Sequence, residues 1–137
     1  MPGLIGREAF ERAAAAALEL PGVDGVEVLF MHEWGGLTRF ASSRIHQSTW
    51  REDTALRVRV VRGGRSGVAA THAFSPEGAR AAAESAREMA SVVSPDPLFP
   101  GLAPPAPVPE HDGFDEAVAA ASPELRARGV ADLVAQV

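Results

Sequence analysis

Residues 55–61 read Ala-Leu-Arg-Val-Arg-Val-Val, and this stretch decides the fold class. A leucine and two valines alternate in it with two arginines, which predicts a β-strand with one apolar and one charged face. A sheet that buries one face and leaves the other in water is typical of antiparallel architectures. The glycine pair at residues 63–64 predicts a hairpin turn into a further strand over residues 66–73.

The residues before this stretch predict further strands. Apolar side chains alternate over residues 26–31, and the pair Gly35 and Gly36 then predicts a second hairpin turn, because glycines tolerate the positive φ angles of such turns. Residues 37–42 and residues 46–52 are predicted as the next two strands. The sequence therefore predicts an antiparallel β-meander of four to five strands.

A helix is predicted on each side of the meander. Residues 7–20 are rich in alanine and end at a Pro-Gly pair. Their apolar face comprises Phe10, Ala14, Ala17 and Leu18. The second helix begins at Ser75, because serine caps a helix, and Pro76 and Glu77 suit the first turn. Its apolar stripe comprises Ala79, Ala82, Ala83, Ala86, Met89, Ala90 and Val93. The predicted fold class is α+β, with the helices packed on one face of the meander.

The pattern divides the chain into three segments. Residues 1–94 form the α+β domain, and residues 95–112 form a proline-rich linker that runs extended over the surface. Residues 113–137 form a helical segment, with a weak helix over residues 114–121 and a second Ser-Pro-Glu helix start at residues 122–124. The apolar positions of the last helix are Leu125, Val130 and Val134. That helix has no stop signal, so we expect it to be truncated at its carboxyl end.

Composition limits the possible partners. The chain has 137 residues, of which 46% are hydrophobic and 23% charged, as in globular domains. A net charge of −5 opposes nucleic acid and anionic membrane surfaces as partners, since both require a basic face. No cysteine is present, which excludes disulfides and thiolate zinc sites. No secretory signal or span of about 20 apolar residues is visible, so we expect a cytoplasmic protein.

No catalytic or metal motif is complete. His32 and Glu33 form the start of a zinc-peptidase motif, but no second histidine follows within one helical turn. No serine lies in a Gly-x-Ser-x-Gly elbow, and the glycine-rich residues 62–67 lack the lysine of a phosphate-binding loop. The other histidines are scattered, at His46, His72 and His111. We therefore predict no catalytic residue, no metal ligand and no cofactor in this chain.

Basic side chains concentrate in the β region. The arginines there are Arg39, Arg44, Arg51, Arg57, Arg59, Arg62 and Arg65. One interpretation is a solvated sheet face, and the other is a docking face for an acidic partner or a peptide, since arginines and strand edges suit both. The candidate contact residues are Arg39, Arg44, His46, Gln47, Arg57 and Arg59.

Residues 37–47 read Leu-Thr-Arg-Phe-Ala-Ser-Ser-Arg-Ile-His-Gln. This segment resembles the strand–turn–strand signature near the start of TldD/PmbA proteins, also called modulators of DNA gyrase. The family pattern is Arg-Phe-Ala-Asn, a variable pair and Ile-His-Gln, and Ser42 stands here where the pattern often has asparagine. Residues 56–67 resemble the next hairpin of the family, and the second predicted helix with its prolines, through residue 102, resembles the segment after that hairpin.

The resemblance implies a role within a larger protein. Family members are similar to zinc-dependent peptidases that act on short or unfolded peptides, and they form complexes of a metal-bearing and a metal-free subunit. The metal motif lies beyond the matched region, so no zinc or catalytic residue is carried over. The resemblance allows a parent protein of either the metal-bearing or the metal-free type, and zinc is expected only in the first.

The expected role is a non-catalytic amino-terminal domain that supports a peptide cleft or a subunit contact. Its expected partners are the remainder of the parent chain, a family member in a homo- or hetero-oligomer, and unfolded peptide. The alternative is a stand-alone interaction module that uses the arginine-rich sheet face. Direct regulation of DNA gyrase through DNA binding is disfavoured by the acidic charge.

Overall fold

The computed structural model describes residues 5–136 and has an α+β fold. Its elements in chain order are α1 (Arg7–Leu18), β1 (Gly25–Ala41), β2 (Arg44–Arg62), β3 (Arg65–Thr71), α2 (Pro76–Val92), α3 (Glu116–Ala119) and α4 (Pro123–Val134). The strands form one antiparallel meander in the order β1-β2-β3. No helix within residues 5–136 has both the length and the apolar character needed to cross a membrane.

The predicted count of four to five strands is wrong, because Gly35 and Gly36 form no turn. Both lie inside β1, which runs for 17 residues. The first hairpin turn is instead at Ser42 and Ser43, whose φ angles are 50° and 58°. Asparagine tolerates this left-handed conformation better than most residues, so it would suit the position of Ser42.

The two strands predicted over residues 46–52 and 55–61 are likewise one strand, β2, of 19 residues. The second predicted hairpin is confirmed. Gly63 and Gly64 have φ angles of 56° and 69°, and the β2–β3 register runs from Arg62 opposite Arg65 to Leu56 opposite Thr71. A two-residue loop with both φ angles positive matches the twist of the strands it joins.

The described chain divides into two compact units, each made of two segments. The first unit comprises residues 5–32 and 53–106, and the second comprises residues 33–52 and 107–136. The long strands β1 and β2 therefore contribute residues to both units. The linear division into residues 1–94, 95–112 and 113–137 stays a prediction.

The first unit has an alanine- and valine-rich core. Leu56, Val58 and Val60 of β2 are completely buried, as the alternation in residues 55–61 predicted. The helices cover them with small side chains, namely Ala13, Ala17, Ala79, Ala82, Ala83 and Ala86. Small side chains let helix and sheet backbones approach closely, and Gly67 of β3 lies directly against the backbone of α2 at Ala86 and Ala90.

Both helices of the first unit bury narrower faces than predicted. In α1, Leu18 is 55% exposed and Ala13 is buried instead. In α2, Met89 is 46% exposed, and Val93, the residue after the helix, is 42% exposed, while the predicted alanines are buried. The predicted helix start is confirmed, because the Ser75 hydroxyl accepts a hydrogen bond from the Gly78 N–H at 3.1 Å.

The second unit contains no fully buried side chain among residues 33–52 and 107–136. Helix α3 spans four residues rather than the predicted 114–121, whereas α4 begins at the predicted Ser-Pro-Glu sequence. Leu125 was predicted as an apolar position of α4 but is 50% exposed. The half-buried residues of α4 are Arg126, Ala127, Val130 and Val134.

Candidate binding pocket

A pocket of about 530 Å³ lies within the second unit. Its walls come from β1, β2, α3 with the residues next to it, and α4. They comprise Trp34, Gly35, Gly36, Trp50, Gly113, Phe114, Asp115, Val118, Ala119, Ala121 and Arg126. An apolar pocket with a few polar groups is the usual form of a site for a small ligand or a side chain.

Aromatic rings form the apolar part of this pocket. The ring centroids of Trp34 and Phe114 lie 6.5 Å apart, within the range of a favourable aromatic pair. Trp50 and Phe114 are 51% and 56% exposed, so neither residue is fully covered by the described part of the chain. Burying a further ring against them is favourable at about 25 cal/mol per Å² of apolar surface.

Arg126 provides the positive charge of the pocket. Its Nε donates to the Thr38 hydroxyl at 3.3 Å, and its Nη1 donates to the Ala121 carbonyl at 2.8 Å. These two bonds link the guanidinium to β1 and to the residue that precedes the N-cap of α4. The Nη2 N–H groups of Arg126 bond to no residue within 5–136, so they remain available as donors to a carboxylate.

Gly36 makes the position of Arg126 possible. A Cβ at Gly36 would collide with the guanidinium of Arg126, so only glycine lets this flat group lie on the strand backbone. In contrast, a Cβ at Gly35 would meet nothing within 4 Å. The glycine pair that resembled a turn therefore includes one residue that provides space for a charged side chain.

Asp115 is the acidic residue of the pocket. One of its carboxylate oxygens, Oδ1, accepts a hydrogen bond from the Val118 N–H at 2.9 Å and so caps α3. Its other oxygen has no hydrogen-bond partner within residues 5–136. The pocket thus combines a guanidinium, a carboxylate oxygen and three aromatic rings.

Four of the predicted contact residues lie near the β1–β2 turn of the second unit, outside the pocket lining. The Arg39 guanidinium donates to the Gln47 amide oxygen at 3.4 Å, so the structure brings these two together. Arg44 and His46 are exposed on β2. Whether these residues contact a partner stays a prediction.

The other two predicted contact residues, Arg57 and Arg59, lie in the first unit. They alternate with the buried side chains of β2 and point away from its core. Arg59 is 3.7 Å from the carboxylate of Glu27 on β1, and both side chains are about half exposed. The arginines therefore lie on a mixed-charge sheet face, and their role in docking stays a prediction.

The described residues gather no metal site. Within residues 5–136, no three His, Asp or Glu side chains lie together as a cation requires. His32 is inside β1 rather than at a strand end, and its Nδ1 lies 3.5 Å from the Ile5 N–H. His72 Nδ1 lies 3.2 Å from an Asp53 carboxylate oxygen and 2.9 Å from the Thr54 carbonyl oxygen, which does not amount to a ligand set. The residues present do not fit a zinc ion.

Sequence patterns do not reveal the pocket, because its residues are far apart in the chain. They place Trp34 in a turn region and Trp50 in a strand, and they give Arg126 no role. One signal was available. Alternate residues of β1 are half buried from Val26 through Thr38 without interruption, so a period of two continues across the glycine pair.

Comparison with known proteins identifies relatives of this architecture. Residues 26–90 match a family described as PmbA/TldA metallopeptidase domain 1. Among solved structures, TldE from Thermococcus kodakarensis superimposes with a TM-score of 0.76 and 21% sequence identity. The superposition covers 90% of this chain and 28% of that protein, so the chain spans little more than a quarter of its length. No curated protein shows significant sequence similarity to the chain.

Proposed function

Since this chain carries the first domain of the TldD/PmbA family, we propose that it is a non-catalytic amino-terminal domain that supports peptide binding or subunit assembly in a larger, metallopeptidase-like protein. The observation that carries the proposal is the extent of the two similarities. The family match covers residues 26–90, which include parts of both units, and the shared fold covers 90% of this chain but only 28% of TldE.

The side chains within residues 5–136 suit a supporting role better than a catalytic one. Within residues 5–136, no three His, Asp or Glu side chains lie together as a metal ion requires. We therefore assign zinc and peptide cleavage to the remainder of the parent protein if the parent is the metal-bearing type, and to its partner subunit if the parent is the metal-free type, and we place the parent in the cytoplasm. Its proposed partners are the remainder of its own chain, a second family member and unfolded peptide.

The test compares the full-length gene product with a version that lacks residues 1–137. Three quantities are measured on both, namely the affinity for an unfolded peptide, the oligomeric state by light scattering, and the zinc content. We expect the deletion to weaken peptide binding or to dissociate the oligomer while zinc content is unchanged. A deletion that alters neither binding nor assembly would contradict the proposal.

A second candidate function is a protein-interaction module on the exposed sheet face of the first unit. The placement of Arg57 and Arg59 away from the core favours it. Arg57→Glu and Arg59→Glu should then weaken a stable partner complex by reversing the charge of that face. Arg80→Glu on α2 is the matched control, because it changes the net charge equally. Equal effects of all three substitutions would exclude this face.

A further inference from the structure

We propose that the pocket of the second unit binds the carboxyl-terminal residue of a peptide whose last side chain is large and apolar. In this arrangement Arg126 binds the terminal carboxylate, and the last side chain lies among Trp34, Trp50 and Phe114. This proposal rests on the proposed function, because it assigns a site to the peptide that the domain is proposed to support.

Charge complementarity selects a carboxylate. The guanidinium of Arg126 is fixed by bonds through Nε and Nη1, at 3.3 and 2.8 Å, so little side-chain freedom is lost when it binds a ligand. The donors on Nη2 remain without a partner within residues 5–136. A carboxylate accepts two hydrogen bonds from such a fork, and these charge-assisted bonds are stronger than neutral ones.

The aromatic walls select an apolar side chain next to that carboxylate. Trp34, Trp50 and Phe114 line the same pocket as Arg126. A terminal residue carries its carboxylate and its side chain on one carbon atom, so a single residue can contact both Arg126 and the aromatic rings. A volume of about 530 Å³ is sufficient for one aromatic residue and its backbone.

Asp115 sets the direction of the bound chain. Its free carboxylate oxygen lies on the same pocket wall as the start of α3, where it accepts the backbone N–H of the terminal residue. A terminal amine would also suit Asp115, but it would place its positive charge in the pocket of Arg126. The carboxyl end of a peptide is therefore the complementary end.

The experiment uses the full-length protein that carries this chain. Two peptides end in p-benzoylphenylalanine, one as the free acid and one as the amide, and they are photo-crosslinked over a concentration series. Mass spectrometry then locates the crosslinks. We expect them at residues 34–50 and 113–126, with half-saturation by the acid at about tenfold lower concentration than by the amide.

Substitutions at two arginines of α4 distinguish an effect of the Arg126 guanidinium from an effect of net charge. Arg126→Gln should remove the preference for the acid, and Arg128→Gln, which is exposed on the same helix and outside the pocket, should keep it. Arg126→Lys keeps the charge without the fork and should retain part of the preference. If circular dichroism shows that Arg126→Gln unfolds, Arg126→Lys and Thr38→Val replace it in the test. Both variants keep a cation at residue 126 but change the position of its N–H donors, so both should reduce the preference for the acid.

The outcomes distinguish this proposal from the failure of the proposed function. Equal affinity for acid and amide, or crosslinks outside the pocket, would overturn the pocket assignment even if deletion of residues 1–137 weakens peptide binding. A preference for the acid that depends on Arg126, together with a deletion that changes neither the oligomeric state nor the affinity for an amidated unfolded peptide, would keep the site and overturn the supporting role.

Discussion

The two units of this domain are built from the same two strands but are packed very differently. In the first unit, Leu56, Val58 and Val60 are completely buried beneath a layer of alanines. In the second unit, no side chain among residues 33–52 and 107–136 is fully buried. The first unit therefore has a hydrophobic core of its own, whereas the second has surfaces that are suited to contacts with other molecules.

The difference lies in the side chains that the helices bring to the strands. Helices α1 and α2 present alanines at helical spacing, which allow close approach to β2 and β3. Helix α4 presents Arg126 to β1, and a guanidinium cannot be buried without its hydrogen bonds. Large apolar side chains of the second unit stay exposed, namely Leu37, Phe40, Ile45, Trp50, Phe114, Leu125 and Leu133.

The largest expected effect distinguishes two glycines in strands. In Gly67→Ala, the new Cβ would collide with the α2 backbone at Ala86 and Ala90, so we expect a loss of about 3 kcal/mol in unfolding free energy. Gly35→Ala is the matched control, because nothing lies within 4 Å of its Cβ, and it should change stability by less than about 1 kcal/mol. Urea unfolding followed by circular dichroism measures both unfolding free energies. Similar losses for Gly67→Ala and Gly35→Ala would contradict this prediction.

A second comparison concerns leucine truncations on the two strands. Leu56→Ala should cost about 2–5 kcal/mol of unfolding free energy, because it leaves a cavity in the core of the first unit. Leu37→Ala should cost less than about 1 kcal/mol, since that side chain is 49% exposed.

The protein provides a local probe for this test. Its two tryptophans, Trp34 and Trp50, both lie in the second unit, so their fluorescence reports on that unit while circular dichroism reports on all helices and strands. Leu56→Ala should lower the urea midpoint measured by circular dichroism. A larger shift for Leu37→Ala than for Leu56→Ala would mean that the second unit has the tighter core.

Two serine caps allow a third comparison of smaller effect. Ser75 accepts from the Gly78 N–H at 3.1 Å, and Ser122 accepts from the Leu125 N–H at 3.2 Å. Replacing either by alanine should cost about 1 kcal/mol of helix stability. We expect Ser75→Ala to lower global stability, because α2 is part of the core, and Ser122→Ala to increase hydrogen exchange only in α4. Faster exchange throughout the chain for Ser122→Ala would contradict this.

The smallest expected effect is on the titration of two glutamates near these caps. The pKa of Glu77 is lowered, first by its own backbone N–H and then by Ser75, whereas the pKa of Glu124 is lowered first by Ser122 and then by its own backbone N–H. Ser122→Ala should therefore raise the pKa of Glu124 by removing the largest cause that lowers it, whereas Ser75→Ala leaves the largest cause at Glu77 in place. Carboxyl chemical shifts measured against pH test both, and an unchanged pKa of Glu124 in Ser122→Ala would contradict the assignment.

The pH dependence has a defined sign. Because both folded-state pKa values are lowered from 4.5, each group stabilises the fold above its unfolded pKa. That contribution is lost as the pH falls through the lower, folded-state value. Both side chains are exposed, so the effect on the unfolding midpoint is small.

Local patterns predicted much of the first unit. The alternation at residues 55–61, the turn at Gly63 and Gly64, and the cap at Ser75 are each confirmed. The turn assigned to Gly35 and Gly36 was wrong, because a glycine pair indicates either a positive φ angle or a close approach by another group. Only the position of Arg126, far along the chain on α4, distinguishes the two.

The sequence by itself determined the α+β class, the antiparallel meander, the helix starts and the similarity to the TldD/PmbA family, because these depend on side-chain periodicity and on short local motifs. The tertiary structure alone decided the number of strands, the division into two units and the pocket around Arg126. Those features depend on contacts between residues that are distant in the chain, and a contact of that kind leaves no periodic pattern in the sequence.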